Sequence, residues 1–272
     1  MSILYIVPTP IGNLEDITLR ALRILKAVDL IAAEDTRTSR KLIDHFDIQT
    51  PLTSYHEHNK LTKAEAIFEV LSQGQDVALI SDAGTPGISD PGYELIQLAI
   101  DAGVQIVPLP GANAITTALV ASGLPTDAFS FFGFLPRKHQ ALTDFLSALE
   151  DRRETLVFYE SPNRLVESLH VMHDVLGDRP AVVARELSKF YEEFRRDSVG
   201  GLIAHFSETA PRGEVTLLVS GNTGPGDDAW DETRVRDAMR DLIAEGEKRG
   251  TAAKIVAEQS GWERRDLYNL DL

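Results

Sequence analysis

The stretch ALISDAGTPGISDPGYELI, residues 78–96, decides how this chain is read. An apolar run with the character of a buried strand stops at Ser81-Asp82. A segment dense in Gly, Pro, Ser and Asp follows, and helical periodicity then begins. At the carboxyl end of a strand in an open α/β sheet, such a loop is the usual ligand site. Gly84, Gly87 and Gly92 permit positive φ and close backbone approach. The loop matches neither G-x-x-x-x-G-K-[ST] nor G-x-G-x-x-G. Pro86 and Pro91 each remove an N–H donor, and no lysine or arginine lies between 78 and 96. Both facts argue against a phosphate cradle. A zwitterionic or cationic ligand suits the residues better. Asp82 and nearby carbonyls can meet an ammonium or sulfonium, while remaining N–H groups and a helix N-terminus can meet a carboxylate. The plainer alternative is a proline-stiffened loop that binds nothing.

Working outward, β-rich runs at 3–7, 30–33, 77–81 and 104–108 alternate with helical segments near 16–27, 62–72 and 90–102. Thr62 and Glu65 have capping-box spacing, and Asp90 reads as an N-cap with Pro91 at the first helical position. Gly103 stands where a glycine would end that last helix. Strands alternating with helices imply parallel βαβ units. Residues 108–129 read as a turn, an apolar helix and a second turn leading into another domain. There, strand runs lie at 131–135, 156–159, 181–184, 193–197 and 215–220. Helical spacing recurs at Leu142, Phe145, Leu146 and Leu149, and at Leu165, Leu169, Met172 and Leu176. Ser161-Pro162 opens the latter helix and Gly177 closes it. The pattern around 184–199 suggests two adjacent antiparallel strands, hence a mixed sheet. Residues 221–232 form a Gly/Asp-rich linker. A charged helix and two short helical pieces, broken at Ser260-Gly261, complete the chain. The expected organisation is an α/β domain at 1–120, mostly parallel, a second α/β domain with a mixed sheet at 121–225, and a helical tail at 226–272.

Composition bounds the function. Among 272 residues, 27 Lys and Arg stand against 42 Asp and Glu, a formal net charge of −15. That argues against general nucleic-acid binding, which rests on neutralised phosphates. Basic clusters such as Arg37, Arg40 and Lys41 are either solvated faces or sites for selective, salt-sensitive RNA binding. The absence of cysteine excludes thiolate metal sites, iron–sulfur clusters and a cysteine nucleophile. No apolar stretch approaches the roughly 20 residues that cross a bilayer. The run at 3–7 is too short for a signal sequence, so a cytoplasmic location is expected. His56 with His58, and His170 with His173, have metal-ligand spacing but no evident partner ligand, and no metal is expected. Phe129, Phe131, Phe132 and Phe134 read as sheet core.

Six motifs, taken together, carry a resemblance: VPTPIGNLEDIT (7–18), AAEDTRTSRKL (32–42), SDAGTPGISDPG (81–92), PLPGANAITTAL (108–119), FYESPNRL (158–165) and ARELSKFYEEF (184–194). In this order they resemble the small-subunit ribosomal RNA methylases of the tetrapyrrole methylase superfamily. The resemblance implies two α/β domains with S-adenosyl-L-methionine between them, a homodimer, and 2′-O-methylation of a cytidine in 16S ribosomal RNA near the decoding centre. It assigns Pro10, Ser81, Asp82, Ala83, Thr85 and Ile88 to the methyl donor. It adds Asn113, Ala114 and Ile115 and, more loosely, Tyr159, Glu160, Arg185, Gly213 and Glu214. Tetrapyrrole methylases proper carry a glycine-rich first loop, replaced here by Pro8-Thr9-Pro10-Ile11-Gly12, which favours the RNA branch.

Methyl transfer from a sulfonium is an in-line displacement, and a ribose hydroxyl is a poor nucleophile that a positioned base would assist. Glu34, Asp35, Glu160 and Glu186, all near strand ends, are the candidate bases, unless they serve as caps or ion-pair partners. Arg37, Arg40, Lys41, Arg164, Arg185 and Lys189 flank them and are candidates for RNA phosphates, with internal ion pairing as the alternative. Two rival functions remain: a methylase of a tetrapyrrole or other small molecule, and a non-catalytic RNA-binding or assembly factor. The second would bind RNA without binding the methyl donor.

Overall fold

A computed structural model describes residues 2–56, 60–222, 230, 232–260 and 262–271, with backbone alone at 60–62 and 258. His58, most of the expected linker and the side chain of Thr62 therefore lie outside the described residues. By contacts the chain divides into two compact units, Met1–Glu150 with Glu154–Val219, and Asp151–Arg153 with Ser220–Leu272.

In the first unit, Ile3–Ile6 (β1), Leu30–Ala33 (β2), Leu52–Ser54 (β3), Val77–Ile80 (β4) and Gln105–Pro108 (β5) make a parallel sheet ordered β3-β2-β4-β1-β5. Every residue of β4 is buried because the sheet is covered on both faces. Ala78 and Ile80 pack with Leu25 of Leu19–Ala27 (α1) and Ile43 of Thr36–His45 (α2). Val77 and Leu79 pack with Ile67 and Leu71 of Lys60–Ser72 (α3) and Leu95 of Tyr93–Asp101 (α4). This two-sided burial turns alternation into the continuous VALI run from which the strand is legible.

Ala114–Ser122 (α5) leads into a second sheet of Phe129–Phe134 (β6), Thr155–Glu160 (β7), Pro180–Arg185 (β8), Glu193–Ser198 (β9) and Val215–Val219 (β10), ordered β6-β7-β10-β8-β9. β6 and β7 run parallel and the other pairs antiparallel, so the sheet is mixed as expected, including the β8–β9 pair read from 184–199. His139–Ser147 (α6), Leu165–Leu176 (α7) and Val199–Glu208 (α8) bury one face around Phe158, Val183 and Leu217. α5 covers the other, with Ile115, Ala118 and Leu119 against Val157, Val182 and Leu218.

The second unit buries Val235 and Met239 of Glu232–Ala244 (α9), Ala252, Ala253 and Val256 of Arg249–Ser260 (α10), and Leu267 of Arg264–Asn269 (α11). No helix among the described residues is long and apolar enough to cross a membrane.

Several sequence expectations need correction. α1 starts at Leu19, capped by the Thr18 hydroxyl, because residues 14–16 form a separate 3-10 turn. α3 starts at Lys60, ahead of the expected Thr62. The N-cap of α4 is Gly92, not Asp90, and no side chain caps it. Gly92 lies so close to Gly87 that a Cβ there would stand 3.2 Å from the Gly87 backbone, and the helix begins only after it. Asp90 is thereby released from capping. The polar α2, the three-residue β3 and α8 had no counterpart in the sequence reading. Nor are all four phenylalanines core. Phe131 and Phe132 pack into the two sides of the sheet, but Phe129 is 43% and Phe134 62% exposed. Three steps from Phe131 to Phe134 match two from Val157 to Tyr159, a bulge that re-aims Phe134. Within it, Gly133 adopts φ +70, which a side chain would strain.

Candidate functional site

The carboxyl ends of the parallel strands converge on one cavity of about 430 Å³. Ile11 comes from the loop after β1, Glu34 from the end of β2, the segment from Asp82 to Thr85 with Ile88, Ser89 and Asp90 from the loop after β4, and Asn113 and Ala114 from the loop after β5. The second sheet closes the opposite side. Phe134 ends β6, Tyr159 to Pro162 end β7, and Gly213 to Thr216 begin β10. Because β10 runs antiparallel to β7 with Val215 opposite Glu160, the start of one strand lies beside the end of the other.

The loop after β4 is stapled on both sides. Thr9 and Gly84 exchange backbone hydrogen bonds of 2.9 Å in each direction, and the Thr9 hydroxyl donates to the Ser81 carbonyl at 3.0 Å. On the other flank the Thr85 hydroxyl donates to the Ala112 carbonyl at 3.2 Å. Asn113 caps α5, its Oδ1 accepting from the Ile115 and Thr116 amides, so a helix N-terminus stands at the cavity wall. The glycines and prolines of the loop thus hold a fixed contour between two neighbours.

Its electrostatics are one-sided. Glu34, Asp82, Asp90, Glu160 and Glu214 line the cavity, and among the described residues no lysine or arginine does. Burial raises the Glu34 carboxyl; the Asp82 amide opposes this, while the Asp82 and Asp35 carboxylates add to it. Burial likewise raises Asp82. Asp90 is pushed up to about 7, by burial first and then by the Glu34 carboxylate. Tyr159 is pushed up to about 12 by burial, with Asp90 and Glu214 adding to it. Such a wall repels phosphates and attracts a cation. Phe134 and Tyr159, ring centroids 5.4 Å apart, add an aromatic side, and Ile11 and Ile88 an apolar one. Acid wall, helix N-terminus and aromatic pair fit a sulfonium amino acid joined to a flat ring system. Among the described residues no group of three or more His, Asp or Glu is placed to hold a metal ion.

Eleven of the residues singled out from sequence line this cavity: Glu34, Asp82, Ala83, Thr85, Ile88, Asn113, Ala114, Tyr159, Glu160, Gly213 and Glu214. Others stand behind it. Ser81 is buried, its hydroxyl turned to its own loop; Ile115 belongs to the core; Pro10 is half-buried outside the lining. Of the candidate bases, Asp35 caps α2 and binds Arg37, whose hydrogen bonds hold its carboxyl down at about 2. Glu160 accepts from Arg164, from the Ser168 hydroxyl at 2.6 Å and from the Ser161 amide at 2.6 Å. Glu186 is held below the usual carboxylate range chiefly by Lys189. Of the basic residues, Arg37, Arg40 and Lys41 project into solvent from α2. Arg164 also donates to the Leu135 and Pro136 carbonyls, Arg185 pairs with Glu193, and Lys189 pairs with Glu186 and Glu214 at 2.9 and 2.8 Å. Asp90 and Phe134 escaped the sequence reading because their local patterns, a cap and a strand alternation, pointed elsewhere.

Comparison with known proteins bears on the family and the fold. The family model described as Tetrapyrrole (Corrin/Porphyrin) Methylases matches residues 3–203. A Synechocystis sp. protein named ribosomal RNA small subunit methyltransferase I is 45% identical over 100% of this chain and 98% of its own length. A Bacillus subtilis protein of the same name is 46% identical over 99% and 94%. Among solved structures, uroporphyrin-III-C-methyltransferase from Thermus thermophilus aligns with a TM-score of 0.57 at 21% identity, covering 80% of this chain and 94% of its own. Diphthine synthase aligns with a TM-score of 0.63 at 12% identity, covering 82% and 91%. The structural likenesses speak for the fold alone.

Proposed function

This chain belongs to the tetrapyrrole (corrin/porphyrin) methylase family, in its ribosomal RNA small subunit methyltransferase I group, and from that premise we propose that it methylates small-subunit ribosomal RNA with S-adenosyl-L-methionine as donor. The finer assignment, the ribose 2′-hydroxyl of a cytidine in 16S RNA, belongs to the same proposal. The observation that carries it is the cavity wall of five carboxylates, two of them paired from behind by Arg164 and Lys189 and none facing a lysine or arginine in the lining among the described residues, beside a helix N-terminus and an aromatic pair.

When bound, the donor supplies an activated methyl group; the protein aligns it, keeps water out and moves a proton. Glu34 and Asp82 supply the negative field that favours a sulfonium, whose charge vanishes as transfer proceeds. The N-terminus of α5 favours the donor's carboxylate. Phe134 and Tyr159 offer the faces for its adenine. Arg37, Arg40 and Lys41, exposed on α2 just past Glu34, are the residues assigned to RNA phosphates. In this reading residues 1–120 and 121–225 act as two domains around the donor, 226–272 as a helical tail, and the enzyme works as a cytoplasmic homodimer. The relatives named for ribosomal RNA favour an RNA substrate over a tetrapyrrole.

The test is transfer of labelled methyl to assembled small ribosomal subunits, naked 16S RNA and uroporphyrinogen, with mass mapping of the modified nucleotide. Label on a cytidine ribose of the RNA is expected. Label on uroporphyrinogen alone would overturn the assignment.

A further inference from the structure

We infer that Asp90 is the group that accepts the proton of the attacking hydroxyl, a role that rests on the methyl-transfer reading and names the base it leaves open. The cavity carboxylates differ in what already holds them. Glu160 is saturated by Arg164, Ser168 and the Ser161 amide. Glu214 is paired with Lys189. Glu34 Oε2 accepts from the Asp82 amide at 3.3 Å, and Asp82 Oδ1 accepts from the Asp35 amide at 3.0 Å, so the ends of β2 and β4 pin each other. Asp90 has instead only the nearby Ser81 hydroxyl to favour its charged form, and that hydroxyl is turned to the Gly84 carbonyl at 3.3 Å.

Its placement is also built. Ser89 is held at φ +62, an uncommon conformation for a residue with a side chain. Its hydroxyl sits 3.4 Å from where a Gly133 Cβ would stand, so the β6 bulge leaves room for this strained corner. The corner turns Asp90 into the cavity two residues before Gly92, the N-cap of α4. The ionisable groups around it are Glu34 and Asp82 from the first sheet and Tyr159 from the second, with Glu160 and Glu214 in the same wall. Burial and the neighbouring carboxylates place its protonation near neutrality, at about 7, where a base is most effective.

The step balances. The hydroxyl proton passes to an Asp90 carboxylate oxygen. The hydroxyl oxygen bonds the methyl carbon as the carbon–sulfur bond breaks, its electron pair staying on sulfur, so a cationic sulfonium becomes a neutral thioether. Asp90 then gives its proton to water.

Asp90→Asn keeps shape and removes the base. Its single-turnover methyl transfer to small ribosomal subunits should fall by about 10²- to 10⁴-fold, while calorimetric affinity for S-adenosylhomocysteine stays within about threefold, well under one tenfold step of about 1.4 kcal/mol. The wild-type rate should rise through pH ~7 and the variant should lose that limb. Carboxyl ¹³C NMR of the ligand-free protein should show one signal titrating near neutrality, absent from Asp90→Asn. Asp90→Glu should recover part of the rate and keep a titrating limb, which tests the role even if the amide variant folds poorly. An Asp90→Asn enzyme with unchanged rate and pH profile, or one whose whole defect is lost S-adenosylhomocysteine binding, would overturn the assignment alone. A wild-type protein that methylates no RNA would overturn the functional reading beneath it.

Discussion

Two loops of this molecule are built from the same materials and end in opposite states. The loop after β4, residues 81–92, and the loop joining β8 to β9, residues 186–192, both carry carboxylates, and both bend through non-glycine residues at positive φ, Ser89 in one and Glu186 and Ser188 in the other. In the second loop each acid beside a base finds it: Glu186 and Glu214 hold Lys189, and Arg185 holds Glu193. Lys189 is drawn down by burial but raised on balance by those bonds, and Glu186 is lowered. Around the first loop no lysine or arginine among the described residues forms an ion pair with Asp82 or Asp90; Arg37 only offsets part of the rise at Asp82, and Glu34, Asp82 and Asp90 are all raised. The second loop ties its lysine into two ion pairs; the first, among the described residues, leaves Asp82 and Asp90 without one. Proximity of charges in sequence does not tell these apart, because pairing is decided by which strand ends the fold sets together.

The sharpest break in this comparison is at Glu160, a cavity carboxylate that nevertheless carries its own counterion. Arg164→Ala would leave it buried and unpaired, at a cost of about 3–5 kcal/mol, read by denaturant unfolding. A loss below about 1 kcal/mol would mean the pair holds little. Next, giving the first loop the cation that the second possesses should close the site. Asp82→Arg should weaken S-adenosylhomocysteine binding by roughly a hundredfold or more, two tenfold steps of about 1.4 kcal/mol, with folding retained, by calorimetry.

The ligand-free protein should also carry the strain of the unpaired acids. Asp90 titrates higher folded than unfolded, so the native state binds a proton that the unfolded chain has released. Stability should therefore decline as pH rises from about 4 to 7, by at most a few kcal/mol. Asp90→Asn should flatten that decline and melt higher than wild type at pH 8; identical melting curves at both ends would contradict it. Glu186 has the opposite sign. Its depressed carboxyl adds stability above the unfolded pKa, and loses it as pH falls through the folded value. Lys189→Ala should cost about 1 kcal/mol or less at neutral pH and remove that acid-side dependence. Smallest in stability, Arg37→Ala on an exposed side chain should leave melting unchanged, yet reduce the salt slope of RNA binding by about 1.

Much of this was legible in advance where a residue's burial and its pattern agree. β4 declares itself because both faces are covered, and α5 because an apolar run stands between two turns. The cavity-lining residues of the loop after β4 were legible because Gly, Pro and Asp have few other reasons to crowd a strand end. What stayed hidden depended on distant contacts. Asp90 reads as a cap until Gly92 is pressed on Gly87; Phe134 reads as core until the bulge at Gly133 shifts its register. Arg164, Arg185 and Lys189 look like surface cations until their acceptors are brought alongside by neighbouring strands. β3 is three residues long and carries too little pattern to announce itself.

The most direct test is equilibrium binding to the ligand-free protein at pH 8, comparing S-adenosyl-L-methionine with ATP at equal concentration. One donor bound per chain, lost in Asp82→Arg, with no heat from ATP, is the outcome that a cavity walled by carboxylates requires. Silence from the donor, or ATP bound at the same residues, would contradict it.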